Sequence, residues 1–371
     1  MATPVISIFS VGDYDAQVQR GAEALRSGGL VVLPTETVYG AAGLLSHPTA
    51  RSRLRELRGD ASPKPFTVHV AHPADALDYL GAVSDLGKRL MKKLWPGPVG
   101  LIFDVPAERR RQVAERLGLA ESDLYDESTL TLRCPEHIVA TDIISAAEGP
   151  VVITVPAAAK SSSGSGEQMA RELDGKVDLA FEAGPTAFSK PSTILKVSAN
   201  RYDVVREGVY DQRIIEKLLR TTILFVCSGN TCRSPMSEAI ARRLLAEKEG
   251  VPELDLEKKG ISVMSAGAFA MPGARATPQA VDALRMLGMD LSAHRSRPLT
   301  VELIHQADMI YTMQRSHARA VTALVPSASD KVATLDPGGD IDDPIGGDIA
   351  LYQDLAGQLQ TLIEKRLQEM K

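Results

Sequence analysis

Two hydrophobic rhythms alternate along the chain. Apolar positions over 18–25 recur at helical spacing and stop at Gly28-Gly29, a pair suited to end a helix. Leu30, Val31, Val32 and Leu33 then form an unbroken apolar run closed by Pro34, the pattern of a strand buried on both faces. Further β-rich runs fall at 66–70, 99–103, 129–133, 151–154 and 192–197, and the Ser/Gly-rich stretch 161–166 reads as a flexible loop. The pattern changes near 209–222, where a short amphipathic stretch at 214–219 leads straight into a new strand at 223–226. A boundary near Arg220 therefore divides the chain into domains 1–219 and 220–371, both α/β. In the second, helix 235–247, strand 261–265, helix 278–287, strand 309–313 and a last helix from Ile349 alternate regularly. That order predicts a doubly wound, parallel sheet with helices on both faces.

Composition supports two soluble domains. At 371 residues the chain exceeds one ordinary core, and 44% apolar with 24% charged residues fits a globular protein. A net charge of -5 argues against non-specific nucleic-acid binding. The first ten residues show no secretory pattern, and no apolar run reaches the roughly 20 residues that span a bilayer. Three cysteines, Cys134, Cys227 and Cys232, neither build a disulfide framework nor match a zinc spacing, so a cytoplasmic location and no protein-bound metal are expected.

The sharpest chemical signal is Cys227-Ser228-Gly229-Asn230-Thr231-Cys232-Arg233-Ser234-Pro235, set between a buried-type strand and a helix. Such a loop can wrap an anion with its backbone N–H groups, with Gly229 and Asn230 tolerating the unusual angles required. Ser234 before Pro235 reads as a helix N-cap followed by the first helical residue, aiming a helix N-terminus into the loop. Cys227 is then expected to be a thiolate nucleophile, and Arg233 a planar fork for two phosphoryl oxygens. The alternative is a structural thiol beside a helix start. Cys232 either pairs reversibly with Cys227 under oxidation or fills space behind the loop.

These residues resemble the low-molecular-weight protein-tyrosine phosphatase family over about the last 150 residues. The resemblance implies a phosphocysteine intermediate, no cofactor, a phosphorylated protein as substrate and an acid in an Asp-Pro loop near the C-terminus. Asp336-Pro337 and Asp343-Pro344 both qualify; the second, followed by Ile345-Gly346-Gly347 and the last helix, fits better, making Asp343 the general acid and then base. Ser265, in Ser265-Ala266-Gly267, is expected to support the loop and Asn230. Thr231 stands where tyrosine-directed members usually carry a bulky aliphatic residue, and Ile345 where they carry an aromatic. A threonine there is similar to the protein-arginine phosphatases of the family, so phosphoarginine is preferred and phosphotyrosine comes second. Arsenate reduction by disulfide relay needs cysteines after Cys232, and there are none.

In the first domain, Leu33-Pro34-Thr35-Glu36-Thr37-Val38-Tyr39-Gly40, Trp95-Pro96-Gly97-Pro98, Arg133 in Leu132-Arg133-Cys134-Pro135, Pro191-Ser192-Thr193-Ile194 and Arg206 in Val205-Arg206-Glu207-Gly208 follow one another. In this order they resemble the YrdC-like family of threonylcarbamoyl-AMP synthases over about 10–215. That implies a twisted mixed sheet with flanking helices, and threonine, bicarbonate and ATP with its Mg²⁺ as substrates in a tRNA modification. Thr35, Thr37, Tyr39, Arg58, Arg133, Ser192 and Arg206 are the candidate ligand-binding residues. Two departures stand out. The family's Lys-x-Arg pair appears as Arg58-Gly59-Asp60, with Arg53, Arg55 or Lys64 as possible substitutes. Its Ser-x-Asn segment appears as Ala157-Ala158-Ala159. The domain is thus either a synthase with a rearranged phosphate site, its phosphatase partner then being regulatory, or an inactive nucleotide- or RNA-binding module. For the arginines at 51, 53, 55 and 58, an exposed helix face competes with a nucleic-acid contact.

Overall fold

A computed structural model describes residues 2–10, 12–59, 64–156 and 164–369. The chain falls into two compact units, Met1–Leu219 and Arg220–Lys371. No helix among the described residues is long and apolar enough to cross a membrane.

The first unit is built on a sheet of strands β1 (Val5–Ser7), β2 (Val31–Leu33), β3 (Gly40–Leu44), β4 (Val68–His69), β5 (Val99–Asp104), β6 (Thr129–Arg133), β7 (Val151–Thr154), β8 (Leu179–Glu182), β9 (Thr193–Val197) and β10 (Tyr202–Arg206), in the order β1-β8-β2-β3-β7-β4-β6-β5-β9-β10. Parallel pairs such as β5/β9 and antiparallel pairs such as β2/β3 make it mixed. Side chains of β2 alternate between two cores. Val32 packs with Leu54 of helix Pro48–Arg58, whereas Val31 and Leu33 pack with Val18 and Ile143 of helices Tyr14–Arg26 and Ile138–Ala147.

One expectation fails inside this unit. Gly166 lies not in a loop but at the start of helix Gly166–Glu172, where the Ser165 hydroxyl accepts the Gln168 N–H at 3.2 Å. Glycine is required there because a Cβ would meet the Phe181 carbonyl oxygen at 2.1 Å. Residues 161–163 of that predicted loop, like Ala157, Ala158, Ala159 and Asp60, fall outside the described residues.

The second unit has a parallel sheet of β11 (Thr221–Cys227), β12 (Ile261–Gly267), β13 (Met309–Thr312) and β14 (Val332–Thr334), ordered β12-β11-β13-β14. Ile223, Phe225 and Cys227 face a core shared with helices Arg233–Glu249, Pro278–Met286 and Ile349–Glu369. Leu224 and Val226 face the opposite core, with Ile304 and Val321 of helices Val301–Gln306 and Arg315–Leu324. Period-two alternation in a run that is apolar throughout is what a sheet covered on both faces demands. The chain leaves β11 for β12 on one side, then crosses to β13 on the other. The reversal opens a crevice at the carboxyl ends of β11 and β13, where such sheets place their ligands.

Candidate active sites

Cys227 is the last residue of β11 and therefore lies at that crevice, almost fully buried. The Asn230 backbone N–H donates to its sulfur at 3.3 Å, and the Ser234 hydroxyl lies 3.0 Å away. Asn230 holds the loop's shape. Its φ of 54° is in the left-handed region, which a short polar side chain tolerates. Its amide Nδ2 donates to Ser265 Oγ at 2.9 Å and Ser234 Oγ at 3.0 Å, and its Oδ1 accepts the Arg297 N–H at 2.9 Å. Its carbonyl oxygen lies 2.8 Å from His294 Nε2. The Ser265 hydroxyl in turn donates to Glu238 Oε2 at 2.6 Å.

Two local readings of the loop are corrected. Gly229 does not adopt a positive φ; of the pair only Asn230 does. The glycine the loop needs is Gly267 on β12, where a Cβ would sit 2.6 Å from the Ser228 carbonyl oxygen and 2.9 Å from the Asn230 nitrogen. Nor is Ser234 an N-cap. The helix begins one residue earlier, at Arg233, with Cys232 at the cap position and no side-chain cap bond. The Ser234 hydroxyl is spent on Asn230 and the Cys227 sulfur instead of on the helix's own first turn.

Arg233 is buried. Its Nη1 donates to the Ile341 carbonyl at 2.9 Å; its Nη2 reaches Ser228 Oγ at 3.4 Å and an ion pair with Asp343. Of the two Asp-Pro aspartates, Asp343 is thus the one that meets the arginine. Asp336 accepts the Gly338 N–H in its own turn at 2.7 Å. Cys232 is buried, its sulfur 3.5 Å from Tyr352 Oη and 3.6 Å from both Thr231 Oγ1 and Thr277 Oγ1. Burial, with the hydrogen bond to Cys232, pushes the Tyr352 phenol up to about 12. Ile345, next to Asp343-Pro344, is exposed.

His294, Glu238, Tyr352 and His317 were not visible as site residues. His317 lies in the first turn of helix Arg315–Leu324, which follows β13, and its Nε2 is 2.9 Å from Ser228 Oγ. Burial and then the Arg233 charge hold its pKa down to about 4, so the ring is neutral at pH 7. A histidine just past the carboxyl end of the strand neighbouring β11 was the available signal.

The first unit encloses a cavity of about 460 Å³ whose lining includes Thr37, Arg58, His69, Arg133, Ser192 and Arg206. Three guanidinium groups in one cavity suit a polyanion. Arg133 Nη2 donates to Glu36 Oε1 at 2.7 Å and Thr37 Oγ1 at 2.9 Å, and the Glu36 carboxylate also accepts the Glu136 N–H at 3.0 Å. Arg206 donates to the Ser192 carbonyl at 2.9 Å, so two of the separated motifs meet. Burial, then the nearby Arg133 charge, lowers the Arg206 pKa. Arg58 stacks 4.0 Å over the Phe66 ring and bonds the Pro65 carbonyl. Burial drives the His69 pKa down to about 3, leaving the arginines to supply the cavity's positive charge.

Thr35 and Tyr39 are not among the lining residues. Thr35 braces Thr37 at 2.9 Å, and the Tyr39 hydroxyl donates to the Gly184 carbonyl at 2.7 Å. Arg53 and Arg55 do not stand in for a missing cation: they pair with Asp178 and Asp123 at 2.7 and 2.6 Å, outside the cavity. Arg51 joins Asp123 at 3.6 Å, so this arginine cluster is held by acids of its own unit.

The crevice of the second unit thus has the fold, buried cysteine and clamped arginine of a cysteine-dependent phosphatase. The chain belongs to the low molecular weight phosphotyrosine protein phosphatase family through residues 222–371, and to the Sua5, YciO and YrdC family, described as telomere recombination, through residues 23–208. It is therefore a protein phosphatase fused to a threonylcarbamoyl-AMP synthase-like domain. The second unit is similar to the protein-arginine-phosphatase of Bacillus subtilis, 39% identical over 154 residues, which is 40% of this chain and 96% of that protein. The first is similar to the threonylcarbamoyl-AMP synthase of the same organism, 29% identical over 55% of this chain, but the match spans only 57% of that protein's length. A solved structure of Sua5 from Pyrococcus abyssi shares the fold, with a TM-score of 0.50 and 21% identity over 72% of this chain and 91% of its own.

Proposed function

We propose that the second unit hydrolyses phosphoarginine in proteins. Cys227 sulfur attacks phosphorus, the P–N bond breaks, and the departing guanidino nitrogen takes a proton from the Asp343 carboxyl. The Asp343 carboxylate then removes a proton from water as its oxygen attacks phosphocysteine. Inorganic phosphate leaves, and the thiolate and the acid are restored. Arg233 and the N–H groups of loop residues Ser228, Gly229, Thr231 and Cys232 hold the equatorial oxygens, where charge accumulates, while the Asn230 N–H stays on the Cys227 sulfur. The reading rests on the meeting of Cys227, Arg233 and Asp343 at one crevice.

Thr231 carries the substrate preference. Its hydroxyl reaches Cys232 Sγ at 3.6 Å, and its side chain is smaller and more polar than a bulky aliphatic one. The similarity to a protein-arginine-phosphatase supports the same preference. Wild type is expected to favour phosphoarginine over phosphotyrosine peptides in kcat/KM, and Thr231→Ile to reverse that order by about tenfold or more. A wild type selective for phosphotyrosine would overturn the assignment.

The first unit binds threonine, bicarbonate and ATP to form threonylcarbamoyl-AMP, with pyrophosphate and water leaving, and Arg58, Arg133 and Arg206 meet the phosphates or carboxylates. Among the described residues no group of three His, Cys, Asp or Glu could hold a metal, so Mg²⁺ would arrive on the nucleotide's own phosphates. Titrating the full chain with ATP·Mg²⁺ tests this: saturable binding at about 1 μM to 1 mM, the usual KM range, is expected, and none at millimolar ATP would leave only a module that binds something else.

A further inference from the structure

We propose that His317 is a positioning residue of the phosphatase, orienting the Ser228 hydroxyl so that its proton is given to a phosphoryl oxygen in the loop. Ser228 Oγ has two described partners, Arg233 Nη2 at 3.4 Å and His317 Nε2 at 2.9 Å. An arginine only donates, so one lone pair on Oγ is committed to it. The other contact depends on the imidazole tautomer, which chemistry decides. His317 Nδ1 is buried and has no partner among the described residues. Were Nδ1 the protonated nitrogen, a buried N–H would be orphaned, the costlier of the two omissions. With the proton on Nε2, only an acceptor goes unused, and Nε2–H donates to Ser228 Oγ. Both lone pairs of the hydroxyl are then filled, and its proton has no acceptor among the described residues.

That proton belongs to a loop built around an anion, and a phosphoryl oxygen is the acceptor it lacks. The geometry is fixed from three sides. His317 sits on the helix after β13, whose Arg315 N–H donates to Asp340 at 2.8 Å; the Ile341 N–H donates to the Met313 carbonyl at 2.8 Å, and the Ile341 carbonyl in turn receives Arg233. The charges facing the ring are the Arg233 cation and the Asp343 and Asp340 carboxylates, with burial and the cation outweighing the acids, so the ring stays neutral through the working range.

The inference rests on the phosphocysteine reading, and activity that persists in Cys227→Ser would remove that reading before this one is tested. In the full chain, Ser228→Ala and His317→Leu are each expected to lower kcat/KM for p-nitrophenyl phosphate about tenfold, and to weaken competitive inhibition by inorganic phosphate. The double variant should lose no more than either single one, because both remove the same donor. His317→Gln, which keeps an N–H near Nε2, should recover most of the loss. Additive losses, or no rescue by glutamine in a variant of unchanged Tm, would overturn the proposal. Should His317→Leu fail to fold, Ser228→Ala decides alone: kcat/KM within twofold of wild type would sink it.

Discussion

Replacing Cys227 by serine is expected to cut phosphatase activity by about 10⁴-fold or more, because the proposed mechanism divides the chemistry into two steps by a covalent bond to this sulfur. A serine hydroxyl is far less acidic than a thiol, and among the described residues the hydrogen-bond partners of the Cys227 sulfur are the Ser234 hydroxyl and the Asn230 N–H, neither of them a base. The side chain is 2% exposed and the exchange nearly isosteric, so the fold should change little, by under about 1.5 kcal/mol. Stopped in acid during turnover, wild type should carry one phosphoryl group at Cys227 by mass spectrometry. Turnover of p-nitrophenyl phosphate by Cys227→Ser within tenfold of wild type would show that another group attacks phosphorus.

The second large effect concerns stability. Arg133 and Glu36 form an ion pair with side chains 7% and 4% exposed. Removing one member leaves a buried charge without its counter-ion, at about 3–5 kcal/mol. Arg133→Met should therefore lower the denaturation midpoint of the first unit strongly. Arg133→Met combined with Glu36→Gln should recover more than half of the loss, since the amide oxygen can still accept the Glu136 N–H that Glu36 receives at 3.0 Å. ATP binding should be lost in both variants, which separates the arginine's ligand role from its structural one. If the single variant unfolds no earlier than wild type, the pair is not supporting the cavity wall.

Legibility followed residue chemistry. Runs such as Ile223–Val226 or Val99–Phe103 announce strands because β-branched and aromatic residues suit a packed, pleated surface. Strand β3, Gly40-Ala41-Ala42-Gly43-Leu44, carries no such signal. Its residues are small for a tertiary reason: a Cβ on Gly43 would lie 2.8 Å from Leu30 Cδ2 and 2.9 Å from Leu54 Cδ1. The phosphate loop was readable because its chemistry is contiguous, from Cys227 to Ser234. Its supports were not. His294 and His317 reach it from 64 and 89 residues away, and only the strand order brings them there. Ser234 misled for a related reason: the Ser-Pro pair is a good local cap signal, but tertiary bonds claimed the hydroxyl. Glu36 lay in plain view within a quoted motif, yet its importance depends on Arg133 pointing at it.

In the proposed mechanism, the pairing of Asp343 with Arg233 bears on how the product is released. A carboxylate tethered to the same chain competes for the guanidinium at a local concentration on the order of millimolar, whatever the solution contains. An anion that offers only charge gains little by displacing it, whereas a phosphoryl group that also satisfies the loop N–H donors prevails. Once orthophosphate is free of the sulfur, the resident carboxylate can reclaim the arginine without any diffusional search. In that mechanism clearance would be built into the chain itself, and the clamp would not sacrifice turnover to achieve grip.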